Sequence, residues 1–385
     1  MAKKKKVDAP SSCRLNKVGG EAVIEGVMMK AKDRVSTACR MPDGKIGVIE
    51  RKFVSVRQKH RLLRLPIIRG FVNFIESMIL SFSVLESSAE VVVGEEEETK
   101  FEKWLKKHFG ASLYDIVMFI AGVLGIALAI ALFTFLPNQI ALWIERLFSV
   151  DLGIWKAVLC GVLRIGIFIV YIALVSLMKD IRRTFEYHGA EHKTIACYEA
   201  GEELTPENAK KFTRFHPRCG TSFIFVMLLL SILVSLGIRF LCEVVLAWDF
   251  AAWSIGIFGR NLSALIYTLI GILTLPIIMG LGFEFLMLAG KHQGPIVRIL
   301  SAPGLWMQRL TTREPDEEEL ETAIIALKCA LCDEFPDFPR EDYVIKDEYT
   351  NPPEKKKKGK KAENAAEDAN GQPEGEVGEK DEHDS

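Results

Sequence analysis

The stretch IVMFIAGVLGIALAIALFTFL, Ile116 to Leu136, is 21 residues long and carries no charge. At about 1.5 Å of rise per residue, a helix of that length matches the roughly 30 Å hydrocarbon core of a bilayer. Three further runs are of the same kind. Ala157 to Met178 is 22 residues with the single charge Arg164, Thr221 to Ile238 is 18 uncharged residues, and Asn261 to Phe283 is 23. Four such runs are hard to bury in a soluble chain of 385 residues. In lipid a helix satisfies all of its own backbone groups. The sequence therefore predicts an α-helical polytopic membrane protein with about four transmembrane helices.

Outward from these runs the chain is strongly segregated by charge. The formal net charge of −1 conceals a basic start, in which residues 1–64 hold 17 Lys/Arg against 6 Asp/Glu. The linkers 137–153 and 248–260 hold one Arg each, Arg146 and Arg260, whereas the segment 179–218 holds eight Lys/Arg. Basic loops stay on the cytoplasmic side. The expectation is a plasma-membrane protein whose two termini and 179–218 segment face the cytoplasm, and an even number of spans agrees with it. MAKKKK followed by polar residues does not read as a secretory signal peptide. The 8 cysteines, scattered along the chain, fit a reducing compartment better than a disulfide framework.

Residues 1–16 and the charged tail 351–385 read as disordered. Residues 17–64 read as a small cytoplasmic β region: RVSTACR alternates, MPDGK is a turn, and IGVIERKF resumes the strand. The paired Gly19 and Gly20 there read as an ordinary turn. Residues 65–110 read as an amphipathic helix and linker. The helix lies in the cytoplasmic interface, with a re-entrant path as the alternative, and its basic lead-in touches anionic lipid. Residues 111–290 form the membrane domain, with a metal loop at 179–220, and residues 291–350 read as an amphipathic cytoplasmic helical region. Cys329 and Cys332 read as two small residues of a helix face.

The chemistry is concentrated in YHGAEHKTIACYEAGEEL, residues 187–204, and FHPRCGTSF, residues 215–223. On a helix His188 and His192, at i and i+4, project from one face, with Glu191 beside them. H-x-x-E-H is the inverted zinc-protease pattern, in which the glutamate is a general base. HPRCG adds His216 and Cys219 across a turn stiffened by Pro217. Four N/S donors in one short segment suit a tetrahedral zinc ion. Glu284, at the cytoplasmic end of the last run, is placed to hydrogen-bond a ligating histidine.

GGEAVIEGVMM, YHGAEHKTIACYEAGEELTPEN, FHPRCGTSF and GLWMQRLTTREPDEEELETAIIALK together resemble the YqhQ family of bacterial multipass membrane proteins, over about Lys17 to Cys332. The resemblance implies a metal-dependent protein of unknown function. It implies His188, Glu191, His192, Glu199, His216 and Cys219 as site residues.

Three functions are compatible with these features. The reading favoured by a closed four-ligand set is a membrane assembly or interaction factor with structural zinc. Its basic segments would meet anionic lipid, a protein or a ribonucleoprotein. The alternative is a membrane-embedded metal-dependent hydrolase with Glu191 as general base. A transporter, suggested by Arg164 and Pro276 within the runs, is the weakest, since no internal repeat is visible.

Overall fold

The computed structural model describes residues 14–58, 60–93, 113–153, 155–245, 259–291 and 295–350. The ends expected to be disordered lie outside the described residues, apart from 14–16, and so does most of the linker after residue 93.

The N-terminal region forms a meander: β1 (Val18–Val23), β2 (Gly26–Ala31), β3 (Arg34–Arg40) and β4 (Ile46–Lys52), each antiparallel to the next. Its tight turns use left-handed backbone at Glu25, Lys32 and Gly44, with φ of 48°, 52° and 82°. Gly19 and Gly20 lie inside β1 rather than in the turn expected of them. A fifth strand, β5 (Val344–Glu348), comes from the far end of the chain and pairs parallel to β4. The sheet order is β1-β2-β3-β4-β5. Glu50, fully buried on β4, is gripped by Arg34 at 2.6 Å and Arg340 at 2.8 Å, which ties the two ends of the chain together.

Period-two alternation gives the sheet two apolar faces. One, with Val18, Val27, Met29, Ala38 and Val48, forms a common core with α5 (Lys179–Ala200) and α10 (Glu317–Ala330). The other, with Val23, Met28, Val35 and Cys39, packs on Val84 of α1 (Ile68–Val93). Helix α10 opens with a capping box, in which the Asp316 carboxylate accepts from the Glu319 N–H at 2.8 Å and Glu319 accepts from the Asp316 N–H at 2.9 Å. Cys329 is buried in this helix and Cys332 lies half-exposed beyond its end.

The apolar runs form α2 (Leu113–Ile130), a π-helical turn at Ala131–Phe135, α3 (Leu136–Phe148), α4 (Trp155–Val175), α7 (Gly220–Arg239) and α8 (Gly259–Lys291). The short α6 (Pro206–Ala209) and the amphipathic α9 (Pro295–Thr311) complete the helices used below. Among the described residues, four stretches are long and apolar enough to cross a membrane: Ile68–Val92, Ile120–Phe148, Trp155–Val175 and Phe223–Cys242. Their surfaces are oily: Leu124 is 63% exposed and Leu233 59%, values that a water-facing helix bundle would not carry in such numbers. The run expected at Asn261–Phe283 lies within α8, where Leu269–Phe285 is the apolar described part.

The first expected span does not stop at Leu136. The helix continues to Phe148 through the π turn and Pro137. Proline has no N–H, so the Phe133 carbonyl four residues earlier is left without its helical donor. Arg164 of α4 supplies one instead, its Nε lying 2.8 Å from that oxygen. An arginine in a membrane-facing helix thus answers a backbone defect in its neighbour.

Helix α1 meets the length and composition of a span, yet the sheet lies along it. Glu76 accepts from Ser55 Oγ at 2.7 Å, Ser81 donates to Glu21 at 2.5 Å, and Arg51 donates to Ser83 and Ser87 at 2.7 and 2.6 Å. Its opposite face, with Ile68, Ile75, Met78, Ile79, Phe82 and Leu85, is exposed. At its start Gly70 meets Gly280 of α8, so closely that a Cβ there would lie 2.8 Å from the Gly280 carbonyl oxygen.

Candidate metal centre

Helix α5 brings His188, Glu191 and His192 to one side, as the i, i+3, i+4 spacing requires. The helix ends at Gly201, left-handed with φ 78°. The chain then folds back through α6, whose cap is Thr205, accepting from the Asn208 N–H at 3.3 Å. It returns in the turn His216–Cys219, closed by the Cys219 N–H on the His216 carbonyl at 3.4 Å. Cys219 is the N-cap residue of α7, so its sulfur stands at the positive end of a helix dipole. The Gln308 side chain of α9 grips this turn at both backbone groups of His216, at 2.8 and 2.7 Å.

Side-chain donor atoms of His188, His192 and Cys219 lie within 4.8 Å of one another. His188 Nε2 is 3.2 Å from Cys219 Sγ. His188 Nδ1 faces the Thr311 carbonyl at 2.8 Å, and His192 Nδ1 faces the Arg214 carbonyl at 2.5 Å. A carbonyl has no proton to give, so each Nδ1 must be the donor, and each Nε2 keeps its lone pair. That is the tautomer a metal-binding histidine needs. Ligand atoms around a tetrahedral ion sit roughly 3.5 Å apart, so small side-chain rotations would close this set on a metal. Two imidazoles and a thiol at a helix start fit such an ion.

The Thr311 carbonyl is delivered by a close crossing. The Arg313 N–H donates to the Phe185 carbonyl at 2.8 Å, and the Arg313 carbonyl lies where a Cβ on Gly189 would be. Only glycine lets that segment lie against α5 here.

His216 stands next to this trio. Its ring centroid is 5.4 Å from that of His192, but its Nε2 faces Arg218 Nη2 at 3.3 Å. Burial, with help from His192 and Arg218, pushes its pKa well below the usual histidine value, so the ring is neutral and accepts the arginine proton. Arg218 in turn pairs with Glu199, which also accepts from the Asn16 N–H at 3.1 Å. Glu199 therefore reaches the cluster at one remove, through Arg218. Glu284 is held in a two-pronged pair by Arg69, at 2.6 and 2.5 Å. The ring anchors are the Thr311 and Arg214 carbonyls.

Glu191 is buried, with Oε2 3.9 Å from His188 Nε2. Burial raises its pKa to about 7, an effect that His188 opposes and Glu21 reinforces. Its side chain lies against Gly20 of β1, where a Cβ would come 2.7 Å from Cγ. Glu21, next along, is raised too, mainly by burial. Sequence reasoning missed Glu21, Gln308 and both anchoring carbonyls. Only the Gly19–Gly20 pair gave a usable signal.

The sequence profile of a family described as protein of unknown function, DUF1385, matches residues 65–333. A relative from Bacillus subtilis (strain 168), named Uncharacterized protein YqhQ, is 32% identical over 313 residues, covering 80% of this chain and 89% of the relative. No solved structure matches.

Proposed function

We propose a function from the site itself, because the chain belongs to the DUF1385 family, a family of unknown function. The reading is a metal-dependent hydrolase held at a membrane surface. The observation that carries it is the trio His188, His192 and Cys219 with the Glu191 carboxylate beside it. Closed four-ligand sites are structural, whereas three protein ligands leave a position for water or substrate. The donor set suits zinc. Such an ion, when bound, supplies a positive charge that polarises a water or a substrate oxygen.

The chain's own groups do the rest. The two carbonyl anchors fix the imidazole rings. Glu191, in a dry pocket and poised near neutral pH, takes up a proton and hands it to a leaving group. Cys219 lies four residues before the apolar stretch that begins at Phe223, so the site stands at the mouth of a membrane helix. The Lys/Arg distribution supports a plasma-membrane location with the site and both termini cytoplasmic. Arg57, Arg61 and Arg64, just ahead of α1, are suited to anionic headgroups.

One observation favours a second reading, an assembly factor with structural zinc. His216 lies beside the trio, its ring 5.4 Å from that of His192, and would complete a four-ligand set if it turned inward and Arg218 let it go. Two variants separate the readings. Under the hydrolase reading Glu191→Gln keeps its metal and its abundance in the membrane but fails to complement a deletion of the gene. Under the assembly reading Glu191→Gln complements fully, while His216→Ala loses both metal and protein. Full complementation by Glu191→Gln would end the base mechanism.

A further inference from the structure

The sheet order leaves β1 at an edge. Its register says which backbone groups face outward. Val23 and Gly26 flank the first two-residue turn, and Ala31 and Arg34 the second. Pairs flanking such turns are hydrogen-bonded, and the pairs alternate from there. Gly19 and Glu21 therefore bond to β2, and Val18, Gly20 and Ala22 turn their N–H and C=O groups outward. Among the described residues, no hydrogen bond reaches those outward groups. Of these, Val18 is buried, whereas Gly20 and Ala22 are half-buried with no more than a methyl side chain, and Gly19 between Val18 and Gly20 is exposed.

The edge opens on the side of the metal centre. Helix α10 packs on β2 and β3, whereas α5 packs on β1. Helix α5 turns Ala190 and Cys197 into the core shared with α10, and Glu191 onto Gly20, whose Cβ would lie 2.8 Å from Oε1. Helical steps of about 100° then carry His188 and His192 past Glu191, to the side away from α10. Gly20, which presses against Glu191, is also one whose backbone groups point outward.

We propose that the free edge of β1 binds the main chain of an extended peptide and presents one of its amide bonds to Glu191 and the His188–His192–Cys219 cluster. This rests on the hydrolase reading above. A strand added there lies about 4.8 Å from β1, and its affinity comes from main-chain hydrogen bonds. The alternating donors and acceptors of an edge match another polypeptide backbone. A lipid headgroup offers no such repeat, and two glycines and an alanine give a sugar or base nothing to grip. In the reaction a water oxygen bonds to the amide carbonyl carbon and one water proton passes to Glu191. The C–N bond then breaks and the amine leaves with that proton, giving one carboxylic acid and one amine.

The test uses the full-length protein in phosphatidylcholine–phosphatidylglycerol nanodiscs. The probe is a pool of random-sequence dodecapeptides, beside the same pool N-methylated at alternate residues. Retention and cleavage are read by mass spectrometry. N-methylation should cut retention about tenfold, the effect of losing roughly one good hydrogen bond. Ala22→Pro removes an outward donor without touching a β2 bond. It should cut retention about as much, with metal content and melting unchanged. His192→Ala should still bind peptides but cleave none. Equal retention of the methylated pool would overturn the proposal without reference to any variant's folding, and so would a dimer paired through β1 that Ala22→Pro dissociates. Peptides bound but never cut by the metal-loaded protein would defeat the hydrolase reading and leave the edge standing. No peptide binding, together with metal-dependent cleavage of a lipid ester, would do the reverse.

Discussion

Glu191 and Glu319 are two carboxyl groups that burial raises to about 7, against an ordinary 4.5. A carboxyl raised in the fold favours its protonated form. Its stabilising contribution is complete below the unfolded value near 4.5 and is lost as pH climbs through 7. Chelated, metal-free protein should therefore melt at a lower temperature at pH 7.5 than at pH 5. Glu191→Gln has no charge to bury, and it should flatten the part of that slope due to Glu191, on the order of 3 kcal/mol at most. Superimposable pH–melting curves for Glu191→Gln and wild type would show that the Glu191 pocket is wetter than its burial implies. At this scale the sequence displayed the imidazoles, the thiol and Glu191, because each has its own letter. The anchors for the rings were invisible, since the Thr311 and Arg214 carbonyls belong to a backbone that every residue shares.

Among the elements, α1 is where composition and packing disagree. Its 26 residues would cross a bilayer. Yet Glu76, Ser81, Ser83 and Ser87 make polar contacts to the sheet and its flank over a stretch of about 16 Å. A sheet of that polarity has no place in hydrocarbon. Helix α1 should therefore lie along the surface with Ile75, Ile79 and Phe82 in lipid. Spin labels at Ile79 and Phe82 should be quenched by a lipid-borne relaxer and one at Lys45, in the exposed turn between β3 and β4, by an aqueous one. A depth profile that runs from one leaflet to the other along the helix would make it a span. The uncharged runs made the other long apolar helices plain from sequence, because a lipid environment would impose one requirement along their whole length. Nothing in the letters of α1 could report what packs on it. Strand β5 was hidden for a related reason: its partner β4 is almost three hundred residues away.

At the scale of the whole molecule, the sheet, α5 and α10 share one core. On the orientation proposed from the basic residues of segment 179–218, that body faces the cytoplasm. A reporter cysteine at Asn208 should resist an impermeant reagent in intact cells, and one at Asp151, exposed in the turn between α3 and α4, should react; the opposite pattern would invert the molecule. That body also has a history in time. Strands β1 to β4 are complete by Lys52, but their core waits for α10, which starts at Glu317, and their last partner for Val344. At about 5–20 residues per second of synthesis, the half-made sheet stands open for tens of seconds while the long apolar helices are made. His188 gains its Thr311 anchor only near the end of that interval. A chain stalled or cut short on the ribosome thus carries both histidines and the thiol but not the frame that aims them, so on the proposed reading an ion should be held well only in a molecule that has been finished.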